Sequence, residues 1–260
     1  MQIPILLFFD DGYKEDLIVA DMLAERGLKA TFAIPLKNLG LLKNKVLKLA
    51  SVGEIASHGV SHLNMVRLLE TNPLIAYQEL YYSRIYLEKL TMKPITTFVY
   101  PYGIYNAKLR NFVIKAGYRC ARTVDQFNTS KVVNDLYRIP ITLIDYPPSV
   151  QLLIRSFPNL RNRLSLFACH ISIRHSYSYS DYLANVYKLI TRAIVLPANE
   201  RQSIAISLVF HSNRCLSEKN RAEIFERILN TLKSKHFQTL TMQEYIKEIV
   251  ENERSTYVND

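Results

Sequence analysis

The sequence predicts an α/β fold built from parallel β/α units. Apolar runs of strand length alternate with longer segments in which apolar residues recur with helical period. Polar and aromatic clusters directly follow several of these runs, as they do at the carboxyl edge of parallel sheets. Strands that alternate with helices build either a barrel or an open doubly wound sheet, and the alternation alone leaves both open.

The predicted elements follow one another with short connections. Strands are predicted over residues 3–9, 30–34, 53–56, 95–100, 203–210 and 237–240. Helices are predicted over residues 14–26, 41–50, 71–90, 106–116, 181–194 and 217–234. Gly27 and Gly117 end two of these helices, and the phrase TMQE predicts a capping box between Thr241 and Glu244 that opens a final helix.

The middle of the chain departs from this alternation. Residues 139–202 include two adjacent prolines, and the run LSLFACHISI is compatible with a strand. No internal repeat or low-complexity tract divides the chain. We therefore predict a single domain over residues 1–260 with an irregular insertion near residues 145–201.

The composition indicates a soluble globular protein. Hydrophobic residues make up 48% of the chain and charged residues 22%. The 33 basic and 23 acidic residues leave a net charge of +10, but the basic residues are scattered, so we expect a solvated surface and no nucleic-acid partner. Cys120, Cys169 and Cys215 form no CxxC pair, which argues against a disulfide framework or a thiolate metal cluster.

The first apolar run does not resemble a targeting segment. It has no basic residues before it, contains Pro4 and runs directly into Asp10 without a small-residue cleavage site. No uninterrupted apolar run approaches the length of a transmembrane helix. A cytoplasmic location is the expectation.

Two phrases that follow predicted strands could together form a metal site. FFDDGY places Asp10 and Asp11 at the end of the first strand, and the glycine after them lets the chain turn and re-aim both carboxylates. GEIASHGVSH contains His58 and His62, which a helical turn would bring to one side, close enough to bind one ion. An HxxxH pair alone is a weak signal, but both phrases lie just past a strand, where parallel β/α folds gather their sites.

Two further phrases, FVYPYG and LVFHS, also end predicted strands. They contribute Tyr100, Tyr102 and His211. Taken singly, a turn with aromatic packing and a buried structural histidine would explain them. Because the ends of parallel strands meet at one edge, we expect all four phrases to share one mouth.

Together these phrases resemble the polysaccharide deacetylase family, the NodB-homology enzymes. FFDDGY is similar to the TFDDG signature of that family, KATFAI to its second-strand phrase and GEIASHGVSH to its HxxxH metal motif. FVYPYG is similar to its RPPYG element, LVFHS to its late histidine motif and FQTLTMQEY to its closing strand and helix. The resemblance implies a deformed parallel (β/α) barrel of about seven strands.

The resemblance also implies the roles of five residues. Asp11, His58 and His62 would bind a divalent metal, and two imidazoles with one carboxylate suit zinc. Asp10 matches the catalytic base of the family. His211 matches the late histidine that protonates the departing amine.

Three tyrosines are assigned to the oxyanion or the substrate. The backbone N–H of Tyr102 would stabilise the oxyanion, as the resemblance implies. Tyr100 belongs to the same phrase. Tyr13 replaces a frequent proline after the DDG sequence, and it either lines the mouth and stacks on a sugar or is a turn residue.

The sequence lacks an arginine that is part of the family pattern. Val99 stands where many members have an arginine that orients the catalytic aspartate. Arg122 and Arg138 are candidates for that role, with a surface or structural charge as the alternative for each.

The partner of the late histidine is also open. Asp125 and Asp145 are candidates for the acidic partner of His211. His170 and His175 compete with His211 as the acid, but the spacing of His211 to the closing elements fits the family, so we interpret those two as non-catalytic.

The implied function is a metal-dependent amide hydrolase that removes N-acetyl groups from a sugar, oligosaccharide or glycolipid. One alternative keeps the site but hydrolyses a non-sugar, cyclic amide, because function depends on the pocket. Another is a catalytically weak member that binds glycan. The expected partner is an N-acetylated carbohydrate or a related small amide. Peripheral contact with a membrane is compatible with a glycolipid substrate, and the sequence leaves the oligomeric state open.

Overall fold

A computed structural model of the chain describes residues 3–38, 43–131, 133–145, 178–235 and 237–257. Within these ranges, eight strands form one sheet in which every strand pairing is parallel. The strands are β1 (Pro4–Asp10), β2 (Thr31–Ile34), β3 (Glu54–Ser57), β4 (Thr97–Val99), β5 (Cys120–Arg122), β6 (Leu143–Ile144), β7 (Ile206–Phe210) and β8 (Gln238–Leu240).

The sheet curls around β1. Seven strands follow the order β5-β4-β3-β2-β1-β7-β6, and β8 pairs with the amino-terminal half of β1. The segment leading into β6 bridges the two edges, because Ile139 pairs with Arg122 of β5 before Leu143 pairs with Leu208 of β7. The predicted deformed parallel (β/α) barrel is therefore confirmed.

Ten α-helices are assigned in the described part of the chain. They are α1 (Asp16–Ala24), α2 (Lys43–Val52), α3 (Met65–Thr71), α4 (Pro73–Thr91), α5 (Ala107–Lys115), α6 (Tyr179–Ile194), α7 (Ala198–Arg201), α8 (Ser212–Cys215), α9 (Lys219–Ser234) and α10 (Met242–Tyr257). None of these helices is long and apolar enough to cross a bilayer.

The two faces of β1 enter two apolar layers. Ile5, Leu7 and Phe9 point outward and pack beneath the helices, where Phe9 stacks on Phe32 and Phe210. Leu6 and Phe8 point to the interior of the barrel. Because side chains alternate along a strand, Asp10 continues the inner row and opens into the barrel mouth.

Most predicted elements are present, with ends shifted by a few residues. The capping box forms, since the Thr241 N–H donates to Glu244 and the Glu244 N–H donates to the Thr241 hydroxyl. The sequence analysis did not predict β5, β6 or α3, which have only three, two and seven residues. The predicted strand in LSLFACHISI lies outside the described residues, and the single-domain boundary stays a prediction.

Candidate active site

Polar side chains converge where the parallel strands end. Each of these residues ends a strand or directly follows one: Asp10 (β1), His58 (β3), Tyr100 (β4), Arg122 (β5), Asp145 (β6) and His211 (β7). A cavity of about 270 Å³ opens at this edge. Its lining includes both aspartates of FFDDGY, both histidines of the HxxxH phrase, Tyr100, Tyr102 and His211.

The backbone turns sharply between the two aspartates. Asp10 is the last residue of β1, whereas Asp11 and Gly12 have φ of 73° and 66°, in the left-handed region. Asn38 holds this turn by donating to the Asp11 carbonyl at 2.7 Å, and the ammonium of Lys45 donates to the carbonyls of Gly12 and Tyr13. Asp10 therefore points into the barrel while Asp11 faces the two histidines.

The HxxxH phrase forms a loop, so the helical turn expected for it is wrong. His58 and His62 are outside any helix, and positive φ at Gly59 (80°) and His62 (52°) folds the loop back on itself. Buried Glu79 of α4 fixes the loop by accepting the N–H groups of Val60 and Ser61 at 2.9 and 2.8 Å. A glutamate on another element, rather than helical spacing, brings the imidazoles together.

The distances among three side chains fit a single small cation. The Nε2 atoms of His58 and His62 are 3.1 Å apart, and Asp11 Oδ1 lies 3.6 and 3.2 Å from them. Ligands bound to one tetrahedral zinc at about 2.05 Å are about 3.3 Å apart. His58 Nδ1 donates to the Val99 carbonyl at 2.7 Å, which leaves its Nε2 lone pair for the ion. This donor set fits a divalent metal.

Both imidazoles are held in their neutral form. Burial, followed by the neighbouring His62, lowers the pKa of His58 to about 3. Burial likewise lowers the pKa of His62, against the opposing charge of Asp11. Neutral imidazole is the form that binds metals, so the apolar surroundings favour ion binding over protonation.

A buried guanidinium partners Asp10. Arg122 is fully buried, its Nη2 donates to Asp10 Oδ2 at 2.5 Å, and its guanidinium lies 4.8 Å from the centre of the Phe8 ring. Asp10 Oδ1 has no hydrogen-bond partner among the described residues, although it is buried at the cavity. Of the two arginines named from the sequence, Arg122 reaches this carboxylate, whereas Arg138 lies 3.6 Å from Asp125.

Arg122 lies on β5, the strand next to β4, where Val99 stands at the position of the family arginine. Val99 of β4 and Arg122 of β5 are register partners, so their side chains leave the sheet on the same face. Ala33 and Ala56 lie on this inner face and form a small apolar cluster with Val99. These small side chains leave space for the guanidinium to cross the barrel toward β1.

Asp145 is the acidic partner of His211. Its carboxylate lies 2.7 Å from His211 Nδ1 and also accepts the His211 backbone N–H at 2.9 Å. Burial lowers the pKa of this imidazole, but the hydrogen bond and charge of Asp145 outweigh burial and raise it overall. His211 Nε2 faces the cavity, 3.6 Å from Asp11 Oδ2. Asp125, the other candidate, instead accepts a hydrogen bond from Tyr105 at 2.8 Å.

The three tyrosines have different surroundings. The Tyr13 hydroxyl donates to Asp11 Oδ2 at 3.1 Å, and burial together with Asp11 raises its pKa to about 12. Tyr100 is buried and lines the cavity, but its hydroxyl donates to the Tyr137 carbonyl at 3.1 Å. Tyr102 is exposed, has φ of 57° and packs its ring edge-on against His62.

The signals in the sequence for Arg122 and Asp145 were weak. Asp145 follows an apolar run, PITLI, that has the character of a strand end. For Arg122 the only signal was the absence of an arginine at Val99. His170 and His175 lie outside the described residues, so their non-catalytic interpretation stays a prediction.

A family profile matches the amino-terminal part of the chain. The profile described as polysaccharide deacetylase matches residues 2–121. No curated protein matches the chain.

Similar solved structures share the fold. Peptidoglycan deacetylase PdaC from Bacillus subtilis is 15% identical, with a TM-score of 0.57 over 99% of this chain and 96% of the other. The Xyl-CE4 domain of a multidomain xylanase from the hindgut metagenome of Trinervitermes trinervoides is 14% identical, with a TM-score of 0.60 over 95% and 91%. A family 4 carbohydrate esterase from Streptomyces lividans, in complex with acetate, is 14% identical, with a TM-score of 0.55 over 92% and 91%. Residues 2–121, which carry the aspartate pair and the HxxxH phrase, match the profile of the polysaccharide deacetylase family.

Proposed function

We propose that this protein is a metal-dependent deacetylase that hydrolyses the N-acetyl group of a sugar, oligosaccharide or glycolipid. The observation that carries the proposal is the convergence of Asp10, Asp11, His58, His62 and His211 on one cavity. The match to the family profile supports the reaction class. The similar structures include a peptidoglycan deacetylase and a carbohydrate esterase, which supports an acetylated carbohydrate as substrate.

Asp11, His58 and His62 would hold the metal, and zinc suits their donor atoms. When bound, a divalent ion supplies Lewis acidity toward the acetamide carbonyl and lowers the pKa of water. Three protein ligands leave room in the coordination sphere for the reactants. The Tyr13 hydroxyl, which donates to Asp11, would fix the orientation of that carboxylate.

Asp10 would act as the general base. Its Oδ2 is held by Arg122, and its unpartnered Oδ1 can take the proton of the attacking water. The ion pair prevents the Asp10 side chain from rotating, so Arg122 is a positioning residue.

His211 would act as the general acid. Asp145 accepts from Nδ1, which directs Nε2 into the cavity and stabilises the imidazolium. The cation can then give its Nε2 proton to the departing nitrogen. The Tyr102 N–H would stabilise the oxyanion of the tetrahedral intermediate.

An assay of acetate release from N-acetylglucosamine oligomers tests the proposal. With zinc present we expect turnover, and removal of the metal by a chelator should abolish it. Asp10→Asn should lower kcat by about 100-fold or more, because general-base catalysis contributes that much. Asp21→Asn, on the exposed side of α1, is the matched control and should keep wild-type activity.

Two results would contradict the proposal. Equal activity of the wild type and Asp10→Asn would remove Asp10 as the base. Ring-opening of cyclic amides without acetate release from the oligomers would keep the site but assign it to the non-sugar substrate class.

A further inference from the structure

The outer face of α4 carries an exposed apolar surface that the proposed reaction does not use. At 3.6 residues per turn, its side chains fall on one side of the helix and extend over about 18 Å along the axis. We call this surface the α4 face, and it consists of Leu74 (67% exposed), Ile75 (43%), Tyr81 (37%), Tyr82 (55%) and Tyr86 (40%).

The opposite side of the same helix already fills the core. Ala76, Leu80 and Leu87 are fully buried in the main apolar cluster. A helix that is apolar on both sides is usually covered on both sides. Contiguous exposed apolar patches mark interaction sites in soluble proteins, so we expect the α4 face to bind a partner.

The charges around the α4 face are mainly positive, although Glu70 of α3, three residues before α4, is an exposed acid. Exposed cations lie on α4, on α5 or within four residues after them: Lys89, Lys93, Lys108, Lys115 and Arg119. Neither helix, both of which are fully described, has an exposed carboxylate. The two acids of α4 are Glu79, which is buried, and Glu88, which pairs with Arg84 at 2.8 Å.

We propose that the α4 face docks on the surface of an anionic lipid bilayer. Leucine and isoleucine side chains can enter the acyl boundary, while tyrosines lie at the headgroup level with their hydroxyls in water. The flanking lysines would bind anionic headgroups. The net charge of +10 attracts the whole molecule to such a surface.

Charge also argues against a second copy of the chain as the partner. A two-fold dimer places the same patch on both sides of the interface. The five cations of each copy would then approach those of the other, and Glu70 is one exposed carboxylate against these five charges. An anionic surface has the complementary sign.

Docking through this face would hold the cavity mouth beside the lipid. The amino-terminal half of α4 contacts the metal-site loop, because Glu79 accepts the N–H groups of Val60 and Ser61. Leu63, the neighbour of His62, is 42% exposed. A substrate carried by a lipid would reach the cavity from there, although the docking itself does not require the proposed reaction.

Vesicle flotation tests the proposal. The full chain is mixed with vesicles of phosphatidylcholine alone, or of phosphatidylcholine with phosphatidylglycerol. We expect binding to the anionic vesicles that weakens as salt is added. The triple variant Tyr81→Ser, Tyr82→Ser and Tyr86→Ser should bind at least about tenfold more weakly than the wild type, because three aromatic rings are no longer transferred from water into the bilayer.

Matched controls separate docking from a general loss of apolar surface. Ile18→Ser on α1 and Val195→Ser in the turn after α6 remove exposed apolar residues, at 55% and 77% exposure, and these variants should bind as the wild type does. Circular dichroism melting of every variant checks that it is folded. The tyrosines of the α4 face are exposed, so we expect unchanged melting temperatures.

Three outcomes would overturn the proposal. The wild type could fail to bind either vesicle, or the triple variant could bind anionic vesicles as tightly as the wild type. The third is a dimer in gel filtration that the triple variant loses, in the absence of vesicle binding, which would assign the face to a second copy. Flotation needs neither substrate nor metal, so a negative result here leaves the deacetylase proposal untouched.

Discussion

Asp10 and Asp11 are adjacent in sequence but face different partners. Asp10 ends a regular strand and meets Arg122, whereas Asp11 has positive φ and meets the histidines. The sequence indicated that a turn after the strand would re-aim the carboxylates, because a glycine follows them. The local pattern could not indicate which carboxylate would face which partner, since that depends on groups about 50 and 110 positions away, and only the family resemblance assigned Asp11 to the histidines.

At the residue scale, we predict that Arg122→Met impairs both folding and activity. The substitution removes the partner of a buried carboxylate, which typically costs about 3–5 kcal/mol of unfolding free energy. Urea unfolding measures that loss. The kcat for acetate release should fall as well, because the Asp10 carboxylate would lose the hydrogen bond that holds its orientation.

A paired variant separates the ion pair from packing. Val99→Arg combined with Arg122→Val returns the guanidinium to the neighbouring strand on the same inner face. We expect it to recover part of the stability and kcat that Arg122→Met loses. Wild-type stability and turnover in Arg122→Met alone would show that Asp10 needs no guanidinium.

At the scale of elements, long periodic segments were predictable and short ones were not. The strands of β1 and β7 and the helices α4 and α9 follow clear apolar patterns. By contrast, β5 and β6 contain three and two residues, too few to show a period. Tertiary pairing with β4 and β7, rather than local sequence, forms them.

The loop from His58 to His62 shows why the site was only partly predictable. The spacing of the histidines suggested a helical turn, yet Gly59 and His62 adopt positive φ. The cause is Glu79, 17 residues beyond His62, whose carboxylate accepts two N–H groups of the loop. Such a long-range hydrogen bond leaves no local signature in the sequence.

We predict that Glu79→Ala weakens zinc binding by about 10- to 100-fold. The loop would lose the acceptor that fixes Val60 and Ser61, and outer partners of metal ligands typically contribute this much. Competition with a chromophoric chelator measures the affinity. Glu79→Gln keeps one acceptor oxygen and should retain most of it; equal affinity of Glu79→Ala and the wild type would refute the role.

At the scale of the whole molecule, the apolar pattern predicted the alternation of parallel strands with helices but did not by itself predict how the barrel closes. The alternation of strands and helices predicted parallel β/α units, and the motif resemblance favoured a barrel over an open sheet. The gap between β5 and β7 is bridged by residues 139–144, in a segment with little apolar period. That bridge places Asp145 at the mouth, so the strand β6, which was not predicted, and the uncertain partner of His211 have one cause.

The pH dependence of stability should depend on a carboxyl group far from the site. Glu54 begins β3, at the opposite end of the strand from His58, and accepts from the Gln243 N–H at 2.8 Å. Burial raises its pKa to about 7 from 4.5. The folded state therefore binds the proton more tightly than the unfolded state, and this group destabilises the protein as pH rises from about 4.5 through 7.

Comparing Glu54→Gln with the wild type at pH 5 and pH 8 measures this effect. The stability of the variant relative to the wild type should be greater at pH 8 than at pH 5 by about 2–3 kcal/mol, from the size of the shift. Urea unfolding at both values provides the free energies. A difference that does not change with pH would place the Glu54 pKa near its ordinary value.

Because Val99 and Arg122 lie side by side on neighbouring strands, a guanidinium can pass from one motif to another without changing its place in space. A genome classification that requires an arginine within the YPYG-type phrase would classify such a chain as a catalytically inactive homologue. A filter that asks whether any cation reaches the first aspartate of the DDG pair would retain it. Applied across many chains, that filter would also reveal how often the charge has migrated during divergence.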